Sequence, residues 1–208
     1  MGIDAVFMEF IHELCVQAGT ILTPLFKLIS FLGEKAWFFL LISFLLLLSK
    51  KTRWVGATAI LAIFLGFIVS DICIKPLLAR VRPYMDNMAY QDYWKLAGSV
   101  PDTGYCMPSG HTIGCVAFFV SLYITAKKSW KSRISMIGII ATILMILSRT
   151  YFMHHYLTDC IAGVIIAIFT SYISRFIIKM IYKFCKSYED IGLFNFIINF
   201  DLYEKLKK

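Results

Sequence analysis

Residues 148–159, SRTYFMHHYLTD, place an arginine, two adjacent histidines and an aspartate directly after the apolar run ISMIGIIATILMIL. His155 and Asp159 are four apart, so a helix beginning near them sets both on one face. There a carboxylate can hold one ring nitrogen as N–H and leave the other free as a nucleophile. Two earlier patches complement it. In KPLLARVRP, Lys75 and Arg82 are seven apart, about two turns, and share a face if the helix continues. Two cations on one face suit an anion with several oxygens, phosphate in particular. They equally suit lipid headgroups, the role read for Arg80 on another face. In PSGH, residues 108–111, a small turn opens an apolar helix. Its unpaired N–H groups suit a phosphate held at Ser109 and Gly110, with His111 beside it as acid or base. The same Ser-Gly pair is also an ordinary helix cap.

The elements that carry these patches follow from composition. The chain is 59% hydrophobic and 16% charged, too little polar residue to cover a water-soluble domain of 208 residues. The apolar residues fall in blocks near 36–49, 54–74, 110–126, 134–148 and 160–182, with a weaker candidate at 5–32 interrupted by Glu9, His12, Glu13 and Lys27. Each clear block approaches the ~20 residues that cross a bilayer. The expected fold is all-α, a multi-pass membrane protein of about six transmembrane helices. Residues 1–186 form the membrane domain and 187–208 a cytoplasmic tail. The opening MGIDAVFMEFIHEL lacks a basic, cleavable leader pattern and reads as a retained helix.

Basic residues orient the bundle. Lys50, Lys51 and Arg53, then Lys127, Lys128, Lys131 and Arg133, then Lys183 and Lys186 fall on one side if six helices cross. That side is cytoplasmic by the positive-inside rule, with both termini, while the three patches and the GEK turn at 33–35 face outward. The net charge of +8 is then topology and headgroup attraction, and nucleic acid is not an expected partner. The six cysteines show no ligand spacing and read as small apolar residues.

Taken together, Lys75 with Arg82-Pro83, Pro108-Ser109-Gly110-His111, and Ser148-Arg149 with His155 and Asp159 resemble the three-part signature of the type 2 phosphatidic acid phosphatase superfamily. That superfamily includes membrane lipid phosphatases, glucose-6-phosphatase and soluble vanadium haloperoxidases. Its spacer after Ser148-Arg149 selects His155 and leaves His154 inside the spacer, as an interfacial or supporting residue. The resemblance implies a metal-independent phosphatase of the cell membrane, without cofactor, acting on a bilayer lipid. His155 would take the phosphoryl group as phosphohistidine, Asp159 would orient its ring, and His111 would serve as acid, then base. Lys75, Arg82, Ser109, Gly110 and Arg149 would hold the phosphate oxygens.

In its small size and outward-facing site the chain resembles bacterial undecaprenyl-diphosphate phosphatases of this superfamily, which implies conversion of that diphosphate to the monophosphate. Hydrolysis of phosphatidylglycerophosphate or phosphatidate, phosphoryl transfer to another lipid, and a non-catalytic scaffold or lipid transporter are the alternatives. Outside the signature, Asp71 is spaced to tether Lys75, or to sit wetted at the bilayer edge. Glu34 reads as turn surface or site mouth, and His12 as structural. The aromatic stretch 84–107 reads as an interfacial belt or a lid over the phosphate. Arg80 or Lys95 are candidates to assist at the rim, and the tail to lie along the inner membrane surface.

Overall fold

The computed structural model describes residues 2–18, 21–99 and 101–205. Met1, residues 19 and 20 of the weak first block, Val100 and 206–208 of the tail lie outside them. The described residues contain helices and no strand.

Helix α1 (Ile3–Ala18) buries the stripe Met8, Ile11 and Cys15. Helix α2 (Thr23–Gly33) opens with a proline in its first turn and passes through Glu34–Ala36 into α3 (Trp37–Leu47). Helix α4 (Arg53–Phe67) continues through a widened turn (Ile68–Ile74) into α5 (Lys75–Leu78). Two short helices follow, α6 (Pro83–Asp86) and α7 (Met88–Leu96). The long elements α8 (Gly110–Thr125), α9 (Lys128–Tyr151) and α10 (Leu157–Ser187) complete the bundle. Helices α11 (Gly192–Asn199) and α12 (Leu202–Lys205) form the tail.

Among the described residues, four helical runs are long and apolar enough to cross a membrane: Thr23–Leu47, Arg53–Asp86, Lys128–Tyr151 and Leu157–Ser187. The shorter α8 lies among α4, α9 and α10 and is buried continuously from Thr112 to Phe118. A helix apolar all round belongs at the centre of such a bundle. Small residues permit the close approach. A Cβ on Gly163 of α10 would lie 2.9 Å from the Ser109 carbonyl, so glycine there seats the turn before α8 directly on α10.

The N-terminal region departs from the expected six crossings. The 5–32 block is two helices, and α1, at 16 residues, is about 24 Å long. Asp4 meets Arg80 and Thr158, and His12 packs against Tyr90 and Tyr93. Met8, Ile11 and Cys15 join Tyr84, Tyr93, Tyr151 and Phe152 in a core cluster separate from that of the bundle. Helix α1 therefore docks along the end of the bundle that carries His155, with Glu9 and Glu13 exposed.

The GEK segment is a break inside one run, not a turn between two. Lys35 (φ 45°) and Ala36 (φ 55°) are left-handed there, a conformation costing ~1–2 kcal/mol per residue without glycine. The termini also separate. Asp4 sits at the His155 end, whereas Asp201 accepts the Lys50 N–H at the opposite end, so placing both termini on one side is corrected. The tail docks there through Arg53, whose guanidinium donates to the Ile197 carbonyl at 2.5 Å and to the Phe200 carbonyl.

Candidate active site

Lys75 and Arg82 reach the site by a route the helical spacing does not describe. The wide turn at Ile68–Ile74 rotates Lys75 inward, with Asp71 holding its Nζ at 2.5 Å. Such wide turns recur at functional positions. Ala79, at φ 45°, then ends the helix, so Lys75 and Arg82 do not share one continuing helix face. Arg82 is extended before Pro83 and only 2% exposed. It donates to the carbonyls of Thr103, Gly104 and His154 at 3.2, 3.1 and 3.1 Å. This net of backbone acceptors fixes a buried cation while leaving one terminal nitrogen 3.5 Å from His155 Nε2.

His155 follows the end of α9, where Met153 takes a left-handed φ of 53°. Its Nδ1 lies 2.7 Å from the Cys106 carbonyl. A carbonyl only accepts, so Nδ1 carries the proton and Nε2 presents its lone pair. Burial, then Arg149 and Arg82, push the imidazole well below its ordinary value, and it is neutral at neutral pH.

Asp159 was expected to hold that N–H. It lies 3.8 Å from Nδ1, and its oxygens accept instead from Arg80 at 2.6 Å and from the Tyr156 N–H at 2.8 Å. Arg80, read from sequence as a headgroup contact, is thus inside the site's support. Its other arm reaches Asp4 at 2.6 Å, and its guanidinium lies 4.1 Å from the Tyr156 ring centre. Burial pushes the Asp4 carboxyl up, but hydrogen bonds from Arg80 and Thr158 outweigh it and leave it below its ordinary value.

Arg149 donates to Ser30 at 2.5 Å and to His154 Nδ1 at 2.6 Å, and its Nε is buried without a partner among the described residues. His154 therefore serves Arg149 through Nδ1, and its Nε2 meets Ser99 at 2.9 Å. Between the two arginines lies Asp102, 3.2 Å from Arg82 and 3.1 Å from Arg149. No sequence pattern had marked it.

These groups enclose one cavity of about 890 Å³, lined by Lys75, Arg82, Gly110, His111, Arg149, His154 and His155. Lys27, Glu34, Lys35, Asp71 and Asp102 also lie on its wall. His111 is the second residue of α8, and its side chain lies on the cavity wall. Ser109 does not line the cavity. Its N–H donates to the Asp159 carbonyl at 3.0 Å and its hydroxyl accepts from Thr112, so it braces the turn that Gly110 presents. Lys95 likewise turns away, toward Asp92 at 3.7 Å.

Within the aromatic segment Tyr84 and Tyr93 pack inward, while Tyr105 is exposed. Tyr84 stacks on Trp94 at 4.8 Å. All six cysteines are free thiols.

The segments that carry Lys75, Arg82, His111, Arg149 and His155 in this cationic cavity fall within a stretch of sequence that matches a known family. The model of the PAP2 superfamily matches residues 51–183. The chain belongs to the PAP2 superfamily. An undecaprenyl-diphosphatase from Sulfolobus acidocaldarius is 31% identical over 131 residues, which are 62% of this chain and 58% of that protein. The match therefore spans little more than half of that relative. The crystal structure of Aquifex aeolicus LpxE superposes with a TM-score of 0.66 at 23% identity, covering 84% of this chain and 95% of that one. A PAP2-type phosphatidylglycerolphosphate phosphatase from Bacillus subtilis gives 0.60 at 18% identity, over 86% and 95%. These likenesses establish the PAP2 membrane fold. Asp4, Lys27, Glu34 and Lys35 lie before the residues the PAP2 family model matches.

Proposed function

We propose that this PAP2 protein is a membrane lipid phosphatase that converts a polyprenyl diphosphate to its monophosphate through a phosphohistidine at His155. The observation that carries the reading is the neutral His155 ring, proton fixed on Nδ1 by Cys106, with Nε2 facing a cavity lined by Lys75, Arg82 and Arg149. Nε2 attacks the terminal phosphorus, and the bond to the bridging oxygen breaks. His111 gives that oxygen a proton, then takes one from the water that cleaves the phosphorus–nitrogen bond. The three cations and the N-terminal amides of α8 meet the charge spread over the equatorial oxygens. Fixed guanidinium and ammonium groups thus do work that metal ions do in other phosphoryl-transfer sites.

Asp159 stabilises the imidazolium from behind, and Ser109 supports the turn. The basic clusters at 50–53, 127–133 and 183–186 lie at the end of the bundle away from His155, which supports an extracytoplasmic site. A lipid can then present its headgroup from the outer leaflet with its chain still in hydrocarbon. On that topology the N-terminus is extracytoplasmic and the tail 187–208 cytoplasmic. The undecaprenyl substrate draws support from the Sulfolobus acidocaldarius relative alone.

The test is phosphate release by purified protein from a long-chain polyprenyl diphosphate, phosphatidate, phosphatidylglycerophosphate and glucose 6-phosphate. We expect the diphosphate to turn over fastest and the sugar phosphate slowest. Preference for phosphatidylglycerophosphate with no diphosphate hydrolysis would move the substrate and leave the chemistry; no release from any of the four would refute the phosphatase reading.

A further inference from the structure

We infer that Arg80, backed by Asp4 of the N-terminal helix, is a positioning residue that aims Asp159 at His155. The inference rests on the proposed nucleophilic role of His155. Asp159 is fully buried, and its two oxygens have different partners. Oδ1 accepts from Arg80 at 2.6 Å; Oδ2 accepts from the Tyr156 N–H at 2.8 Å and faces His155 Nδ1 at 3.8 Å. A carboxylate held at one oxygen only can swing about its Cβ–Cγ bond. Arg80 closes that freedom, and Oδ2 stays where positive charge develops when the ring takes a phosphoryl group.

Arg80 is itself fixed on three sides. Asp4 lies 2.6 Å from its NH2, the Thr158 hydroxyl 2.7 Å from its NH1, and the Tyr156 ring centre 4.1 Å from its guanidinium carbon. Asp4 also accepts the Thr158 N–H at 2.9 Å, so α1 supplies a carboxylate to the first turn of α10, where orphan N–H groups and the positive helix end favour one. The cation thus bridges a carboxylate at each of two helix starts, and docking of α1 is linked to the geometry behind the nucleophile. Arg80 is absent from the cavity wall, unlike Lys75, Arg82 and Arg149, so it acts through Asp159 and not on the phosphate.

The experiment compares R80M, R80K, D4N, D159N and R80M/D159N in the full-length purified protein. Loss of a supporting partner of this kind costs about tenfold to a hundredfold in activity. We expect R80M to lower kcat within that range, with KM and inhibition by inorganic phosphate changed by less than about twofold. R80K should recover part of the loss, D4N should show a smaller kcat defect, and R80M should cost nothing further in the D159N background, because residues acting as one unit are non-additive. Unchanged kcat in R80M, a rise in KM alone, or a full additional loss in R80M/D159N would overturn the inference. The 15N shifts of the His155 ring, read without substrate, separate this from failure of the phosphatase reading. They should move in R80M and return toward wild type in R80K even if no lipid is hydrolysed, and identical shifts in all three proteins would also overturn it.

Discussion

The Asp102 carboxylate lies 3.1 Å from Arg149, in the place an anionic substrate would take between that residue and Arg82. Asp102 is about one-third exposed, so each contact is partly screened and worth no more than ~1 kcal/mol. Phosphate entering the cavity must displace it. We expect D102N to tighten inhibition by vanadate or inorganic phosphate by about threefold to tenfold, a range within what the two screened contacts together allow. Weaker inhibition in D102N would mean that Asp102 organises the arginines and does not compete for them.

The two adjacent histidines should differ sharply. H155A removes the proposed nucleophile and should reduce turnover to background. H154A removes an acceptor 2.6 Å from Arg149 and leaves the guanidinium bonded to Ser30 and Asp102. A loss of roughly tenfold fits that supporting position. Equal losses in two folded variants would refute the assignment of roles.

The sequence made much of this cavity readable. The three polar patches converge, and Lys75, Arg82, Gly110, His111, Arg149 and His155 share one wall. The supports were not readable, for physical reasons. The acceptor for His155 is the backbone carbonyl of Cys106, and every residue type offers one. Arg80 has the composition of a headgroup contact; only the fold brings it to Asp4 and Asp159, 76 and 79 residues away. Ser109 looked like a phosphate donor because the sequence does not show that its N–H is already taken by Asp159. Hydropathy found the crossing runs but joined α1 to α2, since it does not distinguish a face packed on protein from one packed on lipid. The 84–107 stretch hid α7 because its aromatics serve a local core as well as they would serve an interface.

His155 should remain neutral in mildly acid solution. Burial and the nearby Arg149 and Arg82 push it below the ordinary imidazole value of 6.5, so protonation of the ring requires a pH well under that figure. NMR titration of the free protein, with ring nitrogens labelled, should show the neutral Nδ1–H form at pH 6. R149Q removes a positive charge and should move the titration upward. An ordinary titration near 6.5 in wild type would contradict the electrostatic picture of the site.

Topology gives a further check. In a background without the native cysteines, new cysteines at Gly2 and at Gln91 should both react with an impermeant reagent applied to intact cells. One at Ser132 should not. Labelling at Ser132 alone would turn the bundle over, and labelling at Gln91 but not Gly2 would detach α1 from the His155 end.

The most direct test of the central claim is to trap the intermediate. After rapid mixing with terminally labelled diphosphate and an acid-free quench, we expect label on the peptide spanning 148–159, in a bond labile to acid and stable to base, localised to His155 and absent from H155A. A wild-type enzyme that turns over with label on His154 or Ser109, or a turnover-competent H155A, would contradict it.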